Sequence, residues 1–184
     1  SLSPLTLLPQ AIHNAAMLCN HRTPAMHPNA RLIQQFYQAF QQLDAETMAN
    51  CYHPDVHFSD PVFTDLRGTE AGDMWRMLAS RAQDFSLTFR DVRADDNRGE
   101  ADWVATYTFS TTGRTVVNRI HARFDFRDGK IVRHVDSFDL WRWARQALGL
   151  KGLLLGWTPL VRNAIRQQAG RGLALYRSRR PAAA

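Results

Sequence analysis

Three ionisable residues stand in this chain with types and spacing suited to proton transfer: Asp60 within HPDVHFSDPVFTDLRG (53–68), and His134 with Asp136 within RHVDSFD. In an extended segment, period two puts Asp60 on the face that carries Val56 and Phe58, so a carboxylate follows two core residues inward. An acid among apolar neighbours resists ionisation and can exchange a proton near neutrality. Asp60 also precedes Pro61, and such a corner suits a carboxylate that accepts backbone N–H bonds, so the sequence leaves both roles open. The same alternation places His134 and Asp136 on one side of a strand with Val132 and Phe138, where imidazole and carboxylate can serve as acid and base together. A strand-end pair that only solvates a rim is the alternative.

Other chemistry finds no support in the residues. His121 shares parity with Arg119 and Arg123, opposite Ile120 and Ala122, and is expected to face outward; His53 and His57 fare similarly. No His, Asp and Glu set has metal-ligand spacing, no glycine-rich phosphate loop occurs, and no Ser-His-Asp signature appears, so neither metal nor cofactor is expected. Tyr37, Phe63, Trp75, Trp103, Tyr107 and Phe138 are the expected aromatic walls for a small apolar molecule, although aromatics at such spacings more often fill a core.

The elements that must position these residues are legible from periodicity. Leu32, Ile33, Phe36, Phe40 and Leu43 form one stripe, which predicts a helix over 30–43 with Asn29 as its N-cap. Asp44 is expected to cap a shorter helix carrying Met48, Cys51 and Tyr52, ending before Pro54. A short strand, the Asp60-Pro61 corner and a second short strand follow. After Gly68 a third helix is expected, capped by Thr69, with Glu70 and Asp73 near its positive end and Met74, Trp75, Leu78 and Ala82 buried. From Phe85 the period changes to two. Strands are predicted around Phe85–Phe89, Trp103–Phe109, Val116–Phe126 and Ile131–Leu140, separated by turns at 95–100, 111–113 and Asp128-Gly129. Helices first and a strand meander afterwards is an α+β order, with helices packed on one face of a curved, mainly antiparallel sheet. The open end of such a cone is a natural small-molecule pocket.

Over roughly residues 29 to 149 the chain resembles the NTF2-like superfamily, in particular its SnoaL-like polyketide cyclase and ketosteroid isomerase branch. The resemblance rests on the helix–helix–HPDVHFSDPVF–GTE–helix run and on RDGKIVRHVDSFD followed by RQALG. It implies a cone-shaped fold and a homodimer formed through the outer sheet face. It also implies that Asp60 stands where ketosteroid isomerases hold the base that moves a proton beside a carbonyl. The oxyanion-hole tyrosine of those enzymes would fall at Phe36, with Tyr37 adjacent but turned by about 100°, and the second donor, a protonated acid, near Ala122. Both donors are missing. Asp136 matches the acid that SnoaL-like cyclases carry on the last strand. Limonene epoxide hydrolases keep that acid too, but Trp103 and Ala105 stand where they need an Arg and an Asp.

The chain has 184 residues, 45% hydrophobic and 22% charged, which suits one soluble domain with attachments. The expected organisation is an N-terminal arm (1–28), a SnoaL-like domain (29–140) and a basic amphipathic helical extension (141–184). The arm makes a poor secretory leader, and two cysteines, Cys19 and Cys51, suit a reducing, cytoplasmic setting. Net charge is +6, yet residues 141–184 hold nine cations and no acid, leaving −3 for the rest, so a nucleic-acid partner is not expected. The extension reads as two helices broken near Gly156–Pro159, serving as a lid or dimer contact in preference to a contact with anionic membrane. Three functions stay open: proton transfer beside a carbonyl (isomerisation, dehydration or cyclisation), non-catalytic binding of an apolar ligand, and a peripheral membrane or adaptor role for the basic tail.

Overall fold

The computed structural model describes residues 25–180, so most of the expected arm lies outside the described residues. The first helix, α1 (Pro28–Gln41), begins earlier than its apolar stripe. His27, not Asn29, is the N-cap: its Nδ1 accepts the Asn29 amide at 3.1 Å, with Pro28 pre-set for the first turn. Asn29 is instead buried, and its side-chain amide donates to the Asp95 and Asp96 carbonyls at 2.8 and 3.2 Å, fastening the helix to a strand turn. The short α2 (Ala45–Asn50) is capped by Asp44 as expected. It stops two residues before Tyr52, which opens β1 (Tyr52–Ser59) rather than closing the helix.

The corner at Asp60 leads to β2 (Leu66–Arg67) and then α3 (Thr69–Arg81), whose N-cap is Gly68 rather than Thr69. The buried face of α3 carries Met74, Trp75 and Met77 together with Asp73, whereas Leu78 is exposed and Ala82 lies beyond the helix. The face is turned from its expected direction because α3 packs against α2 and a later helix as well as against the sheet.

Four long strands follow: β3 (Ser86–Ala94), β4 (Arg98–Phe109), β5 (Arg114–Arg127) and β6 (Lys130–Ser137). The sheet order is β2-β1-β6-β5-β4-β3, antiparallel throughout except for the parallel β1–β6 pair. A bulge between Arg90 and Arg93, with Asp91 at φ 55°, bends the β3 edge. A second bulge shifts β6: Arg133 pairs with Asp125 but Ile131 with Phe126, so the inward row is Ile131, His134 and Asp136, and Val132 leaves the face expected for it. Leu140 lies beyond the strand, as does Phe138, which is half-buried. The result is an α+β, NTF2-like fold, helices packed on a curved, unclosed sheet.

The extension forms three helices rather than two, because Gly149 at φ 63° adds a break: α4 (Leu140–Leu148), α5 (Leu150–Leu155) and α6 (Pro159–Arg179). Asp139 caps α4 through the Arg142 amide at 3.0 Å. Past the end of β6 the β5 edge would be unpaired, and Gln146 of α4 fills it: its Oε1 accepts the Val117 amide at 2.9 Å and its Nε2 donates to the Val117 carbonyl at 3.2 Å. The α6 helix runs back to α3, where Arg177 reaches Asp73 and Glu70 at 3.0 and 2.9 Å and Arg180 reaches Asp73 at 2.5 Å.

Candidate active site

The concave side of the sheet is filled by aromatic rings, and one chain of polar atoms runs through them. Trp75 of α3 donates its indole N–H to the Tyr52 hydroxyl at 2.7 Å; that hydroxyl meets His134 Nδ1 at 2.8 Å; His134 Nε2 meets Asp136 Oδ1 at 3.0 Å. Trp103 of β4 adds an N–H to the same carboxylate oxygen at 3.4 Å. Proton assignments close in one direction. Having accepted from Trp75, Tyr52 donates its only hydrogen to Nδ1, which leaves a neutral imidazole with its Nε2–H for the Asp136 carboxylate. His134 is fully buried and Asp136 is 4% exposed, so this relay is closed to solvent. Rings of Phe36, Phe58, Trp75 and Phe124 pack round the imidazole, the nearest centroid, Phe124, at 4.4 Å.

Asp60 sits at the end of β1, where the chain turns. Its Oδ1 accepts the amides of Val62 and Phe63 at 2.6 and 2.5 Å, and its own amide donates to the Phe63 carbonyl at 2.8 Å. The corner role is therefore real, yet it uses one oxygen only; Oδ2 has no hydrogen-bond partner among the described residues. Burial pushes the carboxyl up from 3.8 to about 7. The Phe63 amide opposes that, the negative charge of Asp136 adds to it, and the Val62 amide and the Arg166 charge oppose it. Desolvation wins, and the result is an acid poised at neutrality.

Around Asp60 stand groups from three elements. Tyr107, half-buried on the inward row of β4, feels the Asp60 charge. Its hydroxyl oxygen accepts the Trp143 indole N–H of α4 at 2.7 Å, and its own hydrogen has no acceptor among the described residues. Arg166 of α6 donates to the Pro61 carbonyl at 3.0 Å, which brings the extension onto the corner. Phe63 is buried and Phe138 half-buried.

The sequence-derived set thus divides. His134 and Asp136 are joined, and Trp75 and Trp103 serve them as hydrogen-bond donors from within the core. Tyr37 is fully buried, stacked on Phe89 at 5.5 Å, with its hydroxyl unpartnered. His121 faces outward and pairs with Asp102 at 2.7 Å. Among the described residues no group of His, Cys, Asp or Glu could hold a metal ion. Sequence reasoning missed Tyr52, Trp143 and Arg166. For Tyr52 the signal existed: it shares even parity with Val56 and Phe58 once the strand is begun two residues before Pro54. No local pattern points Trp143 or Arg166 at the cone.

A family model for the SnoaL-like domain matches residues 33–134. The chain belongs to the SnoaL-like domain family. Solved structures share its fold. TerC, co-crystallised with polyporic acid, is 22% identical over 67% of this chain and 100% of its own, with a TM-score of 0.58. A candidate polyketide cyclase from Xanthomonas campestris pv. campestris is 25% identical over 65% and 96%, with a TM-score of 0.56. A limonene-epoxide-hydrolase-like protein of M. tuberculosis is 22% identical over 75% and 98%, also at 0.56. No curated protein matches the chain. In this SnoaL-like chain Phe36 and Ala122, where the isomerase branch implies oxyanion donors, are both fully buried and apolar.

Proposed function

We propose that the chain binds a small apolar molecule at the mouth of the cone and that Asp60 moves a proton beside a carbonyl of that molecule, as an isomerase, cyclase or dehydratase does. The observation that carries this reading is the geometry of the Asp60 carboxyl, whose Oδ1 takes both corner amides and leaves Oδ2 uncommitted, in a setting where burial pushes the group up to about 7. A base with its pKa near the working pH is ionised often enough to accept a proton and basic enough to hold it. The carboxylate takes a proton from the carbon next to the carbonyl, the electron pair moves to the carbonyl oxygen, and the carboxyl returns the proton at the product position. Tyr107 supplies the donor to that oxygen: the Trp143 N–H withdraws density from its hydroxyl and leaves the O–H free to donate. His134 acts through Asp136, holding its carboxylate within the relay, and Phe63 and Phe138 flank the substrate.

With Phe36 and Ala122 in place of two donors, the site gives less charge stabilisation than a ketosteroid isomerase, since one lost donor costs on the order of 100-fold to 1000-fold. A conjugated polyketide enol, which delocalises its own charge, suits the site better than a simple ketosteroid. The likeness to a candidate polyketide cyclase supports the same substrate class. The test starts from native mass spectrometry to identify a retained ligand. Its C–H exchange in heavy water is then followed by NMR. Wild type should exchange the proton beside the carbonyl, and Asp60→Asn should bind the ligand within a few-fold yet lose exchange. Exchange that survives in Asp60→Asn sinks the assignment. A ligand that binds without exchange in either protein supports the second reading, a non-catalytic binder, which the two buried apolar residues at the donor positions favour.

A further inference from the structure

Between positions 150 and 160 the extension exposes a dense group of apolar side chains. Leu150, Leu154, Leu155, Trp157 and Leu160 are 75%, 67%, 52%, 65% and 81% exposed. Monomeric soluble proteins rarely gather so many in one place without a partner.

The packing of α5 shows why they point outward. Gly149 turns the chain back at the end of α4, and α5 then lies against α4 through a glycine face. A Cβ at Gly152 would stand 1.9 Å from the Ala144 carbonyl oxygen, and one at Gly156 would stand 2.9 Å from the Ala144 Cβ. The contact side of α5 therefore has no room for side chains, and the leucines of LKGLLLG occupy the opposite side. The indoles are prepared for an apolar setting as well. Trp157 donates its N–H to the Leu154 carbonyl at 3.1 Å and Trp141 donates to Leu153 at 3.3 Å, so neither ring needs water for its polar atom.

The charges that residues 141–184 themselves place on this patch have one sign. Arg142, Arg145, Lys151 and Arg162 are exposed beside it, and residues 141–184 contain no acid. Arg145 lies over the Trp141 ring at 5.2 Å. We infer that α5 and Trp157 dock the chain on an anionic lipid bilayer: the leucines and Trp157 enter the headgroup boundary while the flanking cations meet lipid phosphates. An apolar face with Trp, edged by Lys and Arg and free of acids, is the chemistry that such a surface selects. A second copy of the chain fits less well, because a two-fold contact would set the same cations against one another. The inference is independent of the reaction proposed for Asp60.

The full-length chain is sedimented with vesicles of phosphatidylcholine alone and of phosphatidylcholine with phosphatidylglycerol, at about 0.1 M and about 0.5 M salt. Binding to the anionic vesicles should weaken by roughly tenfold or more at the higher salt and on the neutral vesicles. The double substitution Leu154→Ser and Trp157→Ser should weaken it by at least about tenfold with an unchanged melting curve, since both side chains are exposed. If that variant does not fold, Trp157→Phe gives a second reading: quenching of tryptophan fluorescence by brominated lipid should drop with the ring gone. Absence of binding to anionic vesicles, or binding and quenching indifferent to these substitutions, overturns the inference. A dimer in light scattering that the double variant abolishes assigns the patch to a second copy and overturns it too.

Discussion

Asp60 is held between opposing influences, two backbone amides that favour its charged form and burial beside Asp136 that disfavours it. Because burial prevails, the folded chain keeps the Asp60 proton between pH 3.8 and about 7, where the unfolded chain releases it. The stabilisation is thus complete below 3.8 and lost as pH rises through about 7. Denaturant unfolding at a series of pH values should show this fall in wild type, and Asp60→Asn, which keeps an oxygen for the amides, should flatten it. Activity should run the opposite way, kcat/KM rising with pH through neutrality as the base ionises. Tyr52→Phe makes a different demand. It leaves the Trp75 N–H and His134 Nδ1 unpaired in the core, so urea unfolding should show a loss of about 1–3 kcal/mol, and an unchanged midpoint would mean the relay is not formed. At this scale the sequence spoke through parity alone. Alternation put His134 and Asp136 on the inward row of β6, whereas Asp60 lies one residue past the end of β1, in the corner; alternation was silent on Tyr52 because a helix was extended through it. It also could not foresee that the β6 bulge would exchange Val132 for Ile131.

Among the elements, α6 shows most plainly what a linear reading leaves out. Its apolar pattern is weak, and what fixes it is Asp73, a buried acid on α3 that receives Arg76, Arg177 and Arg180. Such a cluster involves residues a hundred positions apart, and no local pattern announces it. Asp73→Ala would leave three guanidinium groups facing each other without their shared partner, and should cost about 1–3 kcal/mol. Hydrogen exchange should then report faster opening of α6 while α1 and the sheet stay protected. Equal protection of α6 in both proteins would show that Leu173 and its apolar neighbours suffice. The strands, by contrast, were legible as elements, since one buried face and one exposed face force alternation, but not at their ends: β3 runs on to Ala94, β4 already begins at Arg98 inside the expected turn, and β6 stops at Ser137. Helix ends were less so: His27 and Gly68 took caps expected at Asn29 and Thr69.

The whole molecule has two faces left for partners besides the mouth. The outer surface of β3–β6, where Arg93 of β3, Arg123 and Arg133 line a cavity of about 600 Å³ with Glu100 and Asp125, is the face through which a homodimer is proposed. Light scattering at high concentration should return twice the chain mass, and a strict monomer would count against it. The feature with the widest consequence is smaller: one glutamine side chain on the Val117 backbone. Gln146 does for β5 what a neighbouring strand would do, and α4, packed on β5 beyond Asp139, must be in place for it to arrive. A chain ended at Asp139 would therefore present a bare strand edge, N–H and C=O outward, ready to zip onto the same edge of another copy. Such a truncated chain should turn fibrillar or precipitate on standing, with thioflavin fluorescence rising, while Gln146→Ala in the full-length chain shows the milder form of the same fault. On that view the helical extension is also a guard against amyloid-like polymerisation of the domain it follows.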